Sequence, residues 1–212
     1  ANFYSFPLIR QPLIFIKYIW RGFRLTRQFL SRDKDYAGKH IQGERDYQED
    51  DFDFDNRRAN DFLMILADGM GGYEGGAVAS SCTVKTFRDT YCLAKGSTAE
   101  RLQQALQQSN YQLAREKRSQ PKLANMGCTL VGVAIHDNQL EWISVGDSPL
   151  WLYNGRRLYR LNADHSMKPI LQKQIQRGEL TPKIAAIHPD RNMLRSALTG
   201  AKIELIDQSS AP

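Results

Sequence analysis

The sequence predicts an α+β layered domain, with antiparallel sheet covered by helices. Three observations point there. The run DFLMILA (61–67) is continuously apolar and of strand length, the pattern of a strand covered on both faces. Two stretches with helical periodicity follow it. A ladder of short strands separated by turn residues then begins near residue 127.

In chain order, residues 1–36 form a basic arm. Within PLIFIKYIWRGFRLTRQFL, Lys17, Arg21 and Arg24 recur on one helical face, with Ile16, Ile19, Trp20 and Phe23 largely opposite. Such a helix can lie on an anionic membrane surface or dock its aromatic face on its own domain, and both readings stay open. Gly22 weakens a helix there by about 1 kcal/mol. After the strand at 61–67, AVASSCTVKTFRDTYCL keeps a helical period. Ser97 with Glu100 forms a capping box for a second helix of about 20 residues, ending before Pro121. GCTLVGVAI (127–135) and LEWISVG (140–146) flank the turn HDNQ. PLWLY (149–153) turns at Asn154-Gly155 into RRLYRL (156–161), and Asn-Gly between alternating strands is a strong hairpin signal.

Composition narrows the function classes. The 212 residues are 42% hydrophobic and 25% charged, ordinary globular values, and suit one domain. The net charge of +6 belongs to the arm: residues 1–32 carry six Lys/Arg and no acid, leaving 23 basic and 23 acidic residues in the other 180. A nucleic-acid binder would spread its basic face over the domain, so none is expected. The apolar runs of the arm are too short to span a membrane and lack the features of a secretory signal. Cys82, Cys92 and Cys128 show no metal spacing and read as free thiols packed in the core of a cytoplasmic protein.

The candidate chemistry lies in ILADGMGGYEGG (65–76). A core strand ends at Asp68, and five glycines follow within eight residues. Glycine lets backbone approach closely whatever the acid holds. The segment fits neither a dinucleotide loop, since position 74 is Glu, nor a P-loop, since no GK[ST] follows. Hard cations such as Mg²⁺ or Mn²⁺, which prefer carboxylate and carbonyl oxygens, fit better. Asp50 and Asp147 also sit at strand ends, Asp147 beside a glycine, and the three could converge at one edge of a sheet. Taken alone, Asp50 reads rather as an acid of a solvated loop and Asp147 as a residue of a hairpin turn.

Taken together, the segments resemble the metal-dependent protein phosphatases (type 2C serine/threonine phosphatases), particularly the bacterial branch. GERDYQED (43–50) resembles the family's opening motif, and LADGMGG (66–72) its second. MGCTLVG (126–132) resembles its small-Gly-Thr-Thr strand, with Cys128 in place of the first Thr, and VGDSPLW (145–151) its Gly-Asp-Ser motif. LNADHS (161–166) and RGELTPKIAAIHPDRNMLRSALTG (177–200) resemble the stretch carrying a mobile flap. The likeness runs over roughly 40–205, in family order.

The resemblance implies an α/β/β/α sandwich of two mainly antiparallel sheets, with 37–212 as the catalytic domain. It implies two Mn²⁺ or Mg²⁺ ions bridged by Asp68, with the Gly69 carbonyl on one. Asp50 would hold the second ion mainly through water, with Glu49 behind it. Asp147 matches a position that helps bind a third ion in bacterial members. Arg45 matches the arginine that grips the substrate phosphate, where a planar fork serves better than lysine. The implied reaction is hydrolysis of phosphoserine and phosphothreonine in proteins by a metal-activated water, with no cysteine or serine nucleophile. A cognate serine/threonine kinase is implied as partner, and residues 1–32 leave peripheral membrane contact open.

Two departures matter. Met70 stands where eukaryotic members place His, so the general acid is expected to be something else, and His165 reads as a structural hydrogen-bonder. The family's later acids, in a Ser-Asp-Gly strand end and a late Asp-Asn, would follow the last residues here, IELIDQSSAP, and Asp207 has the neighbours of neither. Weak activity, missing C-terminal strands and an open sheet edge are the expectation for these 212 residues. The alternative is a catalytically inactive module that binds phosphoproteins on the same scaffold.

Overall fold

The computed structural model describes residues 14–17 (main chain), 36–39, 48–58, 60–72, 74–137 and 139–211. Its central sheet begins with β2 (Asp50–Arg58) and β3 (Asp61–Met70), preceded in the chain by β1 (Ile14–Lys17). Helices α1 (Glu74–Leu93) and α2 (Thr98–Ser119) follow. Next come β4 (Gly127–Cys128), β5 (Leu130–His136), β6 (Gln139–Val145), β7 (Leu150–Tyr153) and β8 (Leu158–Arg160). Helices α3 (Lys168–Gln176) and α4 (Pro182–Ala186) and strand β9 (Asp207–Ala211) complete the order.

Two sheets result. The larger runs β2-β3-β5-β6-β9, with β4 on β3, and all its pairings are antiparallel. The smaller runs β1-β7-β8. Alternation along β3 sorts its side chains between two cores. Leu63, Ile65 and Ala67 face the helices and pack with Phe87 and Tyr91 of α1 and with Leu102, Leu106 and Leu113 of α2. Phe62 and Met64 face the other way, joining Val131, Val133, Trp142 and, from the smaller sheet, Leu150. That second core lies between the sheets. The capping box at Ser97 and Glu100 starts α2 as expected from sequence: Ser97 Oγ accepts from Glu100 N–H, and the Glu100 carboxylate accepts from Ser97 N–H at 2.8 Å.

Four local findings correct or sharpen the sequence reading. Residues 14–17 are a strand paired in parallel with β7, not helix; a short apolar IFIK run supplies the β-branched and aromatic residues that an edge position favours. The rest of the basic stretch, 18–35, lies outside the described residues. The strand expected over 127–135 is interrupted at Thr129, although its register with β3 is unbroken: Leu66 opposes Val131 and Gly69 opposes Cys128. At 154–157 the expected hairpin turn joins β7 to its antiparallel partner β8, and it is held by a side chain. Asn154 Oδ1 accepts from the N–H of Arg156 (3.1 Å) and of Arg157 (3.0 Å), and Gly155 alone of the Asn-Gly pair takes positive φ. Finally, β9 pairs along residues 140–144 of β6 and is itself the last strand on that side of the sheet.

Candidate metal-binding edge

The strand directions place the candidate acids together. β3 ends where β2 begins, and Asp50 sits directly opposite Asp68 in the ladder. Residues opposed in an antiparallel pair point to the same side, so both carboxylates belong to the inter-sheet side, at its end. β6 ends at the same edge, Val145 opposite Leu130 at the start of β5. Gly146, Asp147 and Ser148 then carry the chain from the larger sheet across to β7 of the smaller one. Asp68, Thr129 and Asp147 line one cleft of about 600 Å³ with Met70, Arg195, Lys202 and Glu204, among others.

Each acid is held by local structure. At Asp68, the main-chain N–H donates to Thr129 Oγ1 (3.1 Å) and the carbonyl accepts from Thr129 N–H (2.9 Å). The Thr129 hydroxyl thus takes the ladder role of its own carbonyl, which is why the strand breaks there. It also meets Ser148 Oγ at 2.7 Å, joining the end of β3 to the crossover. Asn162 fastens the crossover from the other side, donating to the Ser148 carbonyl (2.9 Å) and accepting from Leu150 N–H (2.8 Å). At Asp50, Gln48 Nε2 donates to Oδ2 at 3.0 Å.

Gly69 N–H donates to the Glu49 carbonyl at 3.1 Å. A Cβ at Gly69 would lie 2.2 Å from the Gly76 carbonyl oxygen and 2.4 Å from that of Glu49, so only glycine fits. The Glu49 carboxylate lies against Gly76 near the start of α1. Gly146 has φ +105°, and a Cβ there would sit 2.6 Å from Thr129 Cγ2. The glycines next to the acids therefore bring three pieces of main chain together at this edge.

Asp147 is 8% exposed, and its carboxylate receives Lys168 Nζ at 3.0 Å. Its carbonyl accepts from Arg160 Nη2 at 3.2 Å. His165, also buried, accepts from Gly146 N–H on Nδ1 (3.2 Å), while its main-chain N–H donates to the Gly146 carbonyl (3.0 Å). Burial lowers its pKa, which keeps the accepting nitrogen unprotonated. His165 is the structural hydrogen-bonder expected from sequence. Cys128 is equally inert: burial pushes its thiol up to about 12, and Sγ lies 3.1 Å from Thr83 Oγ1 in the helix-facing core. Asp207 is structural too, accepting from Trp142 Nε1 and Ala163 N–H.

The donor set suits hard divalent cations. Asp50, Asp68 and crowded main-chain carbonyls offer oxygen, and the cleft contains neither thiol nor imidazole among its lining residues. Among the described residues, however, no three His, Cys, Asp or Glu side chains gather closely enough to hold an ion. Asp50 and Asp68 face each other; Asp147 reaches the same cleft but is bonded to Lys168. Arg45, the candidate phosphate-gripping residue, lies outside the described residues. Sequence reasoning missed Arg195, Lys202 and Glu204, which come from an irregular stretch with no periodicity to mark it.

A two-sheet α+β domain with acids converging at one strand edge is the scaffold of a metal-dependent phosphatase. A family model for protein phosphatase 2C matches residues 37–168, and the chain belongs to that family. It is 31% identical over 143 residues to the serine/threonine protein phosphatase PstP of Mycobacterium tuberculosis, covering 67% of this chain and 27% of that protein. It is 32% identical over 155 residues to the protein phosphatase PhpP of Streptococcus pneumoniae, covering 70% of this chain and 60% of that protein. The chain thus spans about a quarter of the first relative and three fifths of the second. A solved PstP catalytic domain in complex with two manganese ions superposes with TM-score 0.61 at 28% identity, over 79% of this chain and 68% of that one.

Proposed function

We propose that residues 37–212 carry the site of a serine/threonine protein phosphatase that hydrolyses phosphoserine and phosphothreonine in proteins with Mn²⁺ or Mg²⁺. The observation that supports this best is the register of β2 and β3. It sets Asp50 opposite Asp68 at the end of the inter-sheet layer, with Gly69 pinned on the Glu49 carbonyl. Asp68 and the Gly69 carbonyl would hold one ion, and Asp50 with Glu49 behind it a second. Divalent cations bound there supply Lewis acidity toward a water and toward the phosphoryl oxygens.

This chain's own residues do the positioning. Thr129 fixes the main chain at Asp68, and Gly69 lets that main chain pack against the Glu49 and Gly76 carbonyls. Arg45 would bind the phosphoryl oxygens in a bidentate grip. A cognate kinase is the natural source of such substrates. Among the described residues no helix is long and apolar enough to cross a membrane; the basic, amphipathic pattern of residues 1–32 would suit peripheral contact with an anionic membrane surface.

A second reading is a module that binds phosphoproteins on the same scaffold without hydrolysing them. Hydrolysis of p-nitrophenyl phosphate, measured with and without Mn²⁺ for this chain and for Asp68→Asn, separates them. The first reading expects Mn²⁺-dependent turnover abolished in Asp68→Asn. Turnover that survives chelation, or that Asp68→Asn leaves intact, overturns the mechanism. Phosphopeptide binding without turnover supports the second reading.

A further inference from the structure

The Asp147 carboxylate does not present itself as a vacant ligand for a third ion. It lies in the buried crossover between the sheets, and Lys168 Nζ reaches it at 3.0 Å from the first turn of α3. A cation is disfavoured at a helix N-terminus by the helix dipole, so a lysine there calls for a compensating anion. Asp147 is that anion. The surroundings are already balanced. Arg160 donates to the Asp147 carbonyl and forms an ion pair with Asp164 at 3.2 Å, while Asp164 also accepts from Ser166 N–H and Oγ. Among the described residues, two carboxylates thus face two cationic side chains in a half-buried pocket. A divalent ion at Asp147 would have to displace Lys168 or share the carboxylate with its ammonium group, and like charges that close repel.

We propose that Lys168 is a built-in cation that takes the place of a third divalent ion at Asp147. The site is then limited to the ions held at Asp50, Asp68 and Gly69. The same ion pair also ties α3, the start of the segment whose residues 192–204 wall the cleft, to the metal-binding edge. The inference rests on the proposed metal site only in taking Asp147 to share its cleft.

The test counts Mn²⁺ bound per chain, by electron paramagnetic resonance of the free ion, for wild type and for Asp147→Asn, Lys168→Met, Lys168→Arg and Lys168→Met/Asp147→Asn. Wild type and Asp147→Asn should bind equal numbers. Lys168→Met should bind one ion more, Lys168→Arg none more, and the double variant should return to the wild-type count. An ion lost in Asp147→Asn alone overturns the proposal. So does an unchanged count in a folded Lys168→Met, folding being checked by near-ultraviolet circular dichroism; should that variant not fold, the comparison of wild type with Asp147→Asn decides. Asp68→Asn is counted alongside: if it loses no ion, the metal reading of Asp68 fails, and the Lys168 comparison stands apart from it.

Discussion

Replacing Thr129 by valine keeps the shape of the side chain and removes one hydroxyl. That hydroxyl accepts from Asp68 N–H and meets Ser148 Oγ, and both Thr129 and Ser148 are 2% exposed. The half-buried Asp68 N–H and the buried Ser148 hydroxyl would each lose a partner. A buried orphaned group costs about 1–3 kcal/mol and the half-buried N–H less, so Thr129→Val should lose about 1–4 kcal/mol. In a domain of this size each kcal/mol lowers Tm by about 2–4 °C. Urea denaturation followed by tryptophan fluorescence reads the loss directly, and Thr129→Ser should recover most of it. Because the hydroxyl also fixes the main chain at Asp68, Mn²⁺ affinity should fall alongside stability. The register offers one escape: Asp68 N–H could turn to the carbonyl of residue 129 and restore an ordinary ladder. A Thr129→Val protein within about 0.5 kcal/mol of wild type, with unchanged Mn²⁺ affinity, would show that this repair occurs and that the hydroxyl is dispensable.

Two further outcomes follow from buried charge. Arg101 donates to Asp61 at 2.6 Å, with side chains 6% and 4% exposed, and Tyr91 OH donates to the other carboxylate oxygen at 2.9 Å. Arg101→Met should therefore cost about 3–5 kcal/mol in urea denaturation by stranding a buried carboxylate, and a loss below 1 kcal/mol would refute that account. His165 is held neutral by burial, against the pull of Asp207 and Asp164, so the unfolded chain takes up the proton first as pH falls. Its contribution is then intact above the ordinary value of 6.5 and lost below it, and the urea midpoint should drop between pH 7.5 and 5.5 by more in wild type than in His165→Ala.

Much of this was legible because it is local. The apolar run at 61–67, the capping box at Ser97 and Glu100, and the strand LEWISVG after the turn HDNQ each report on a few neighbouring residues, and each element formed. The family motifs were legible for the same reason. Long-range partners were not. Nothing in the spacing of Asp147 and Lys168 announces an ion pair, because it depends on where α3 lands after β8. Likewise Thr129 reads as an ordinary strand residue until Asp68 and Ser148 are both placed against it. The parallel pairing of β1 with β7 joins segments more than 130 residues apart, and a basic amphipathic pattern competed with it locally.

The two carboxylates at the strand ends do not owe their position to their own strands alone. Asp68 is tied to Thr129, Thr129 to Ser148, and Ser148 through Asn162 to Leu150, which plugs the core between the sheets. This chain of bonds crosses from the larger sheet to the smaller, so the spacing of Asp68 from Asp147 is fixed by how the two sheets close on each other. A strand end by itself would leave an acid free to follow solvent. Here the hydrophobic contact that closes the sandwich also sets the geometry of the cleft, which makes loosening of the inter-sheet core at Leu150 a route to losing metal affinity without touching an acid.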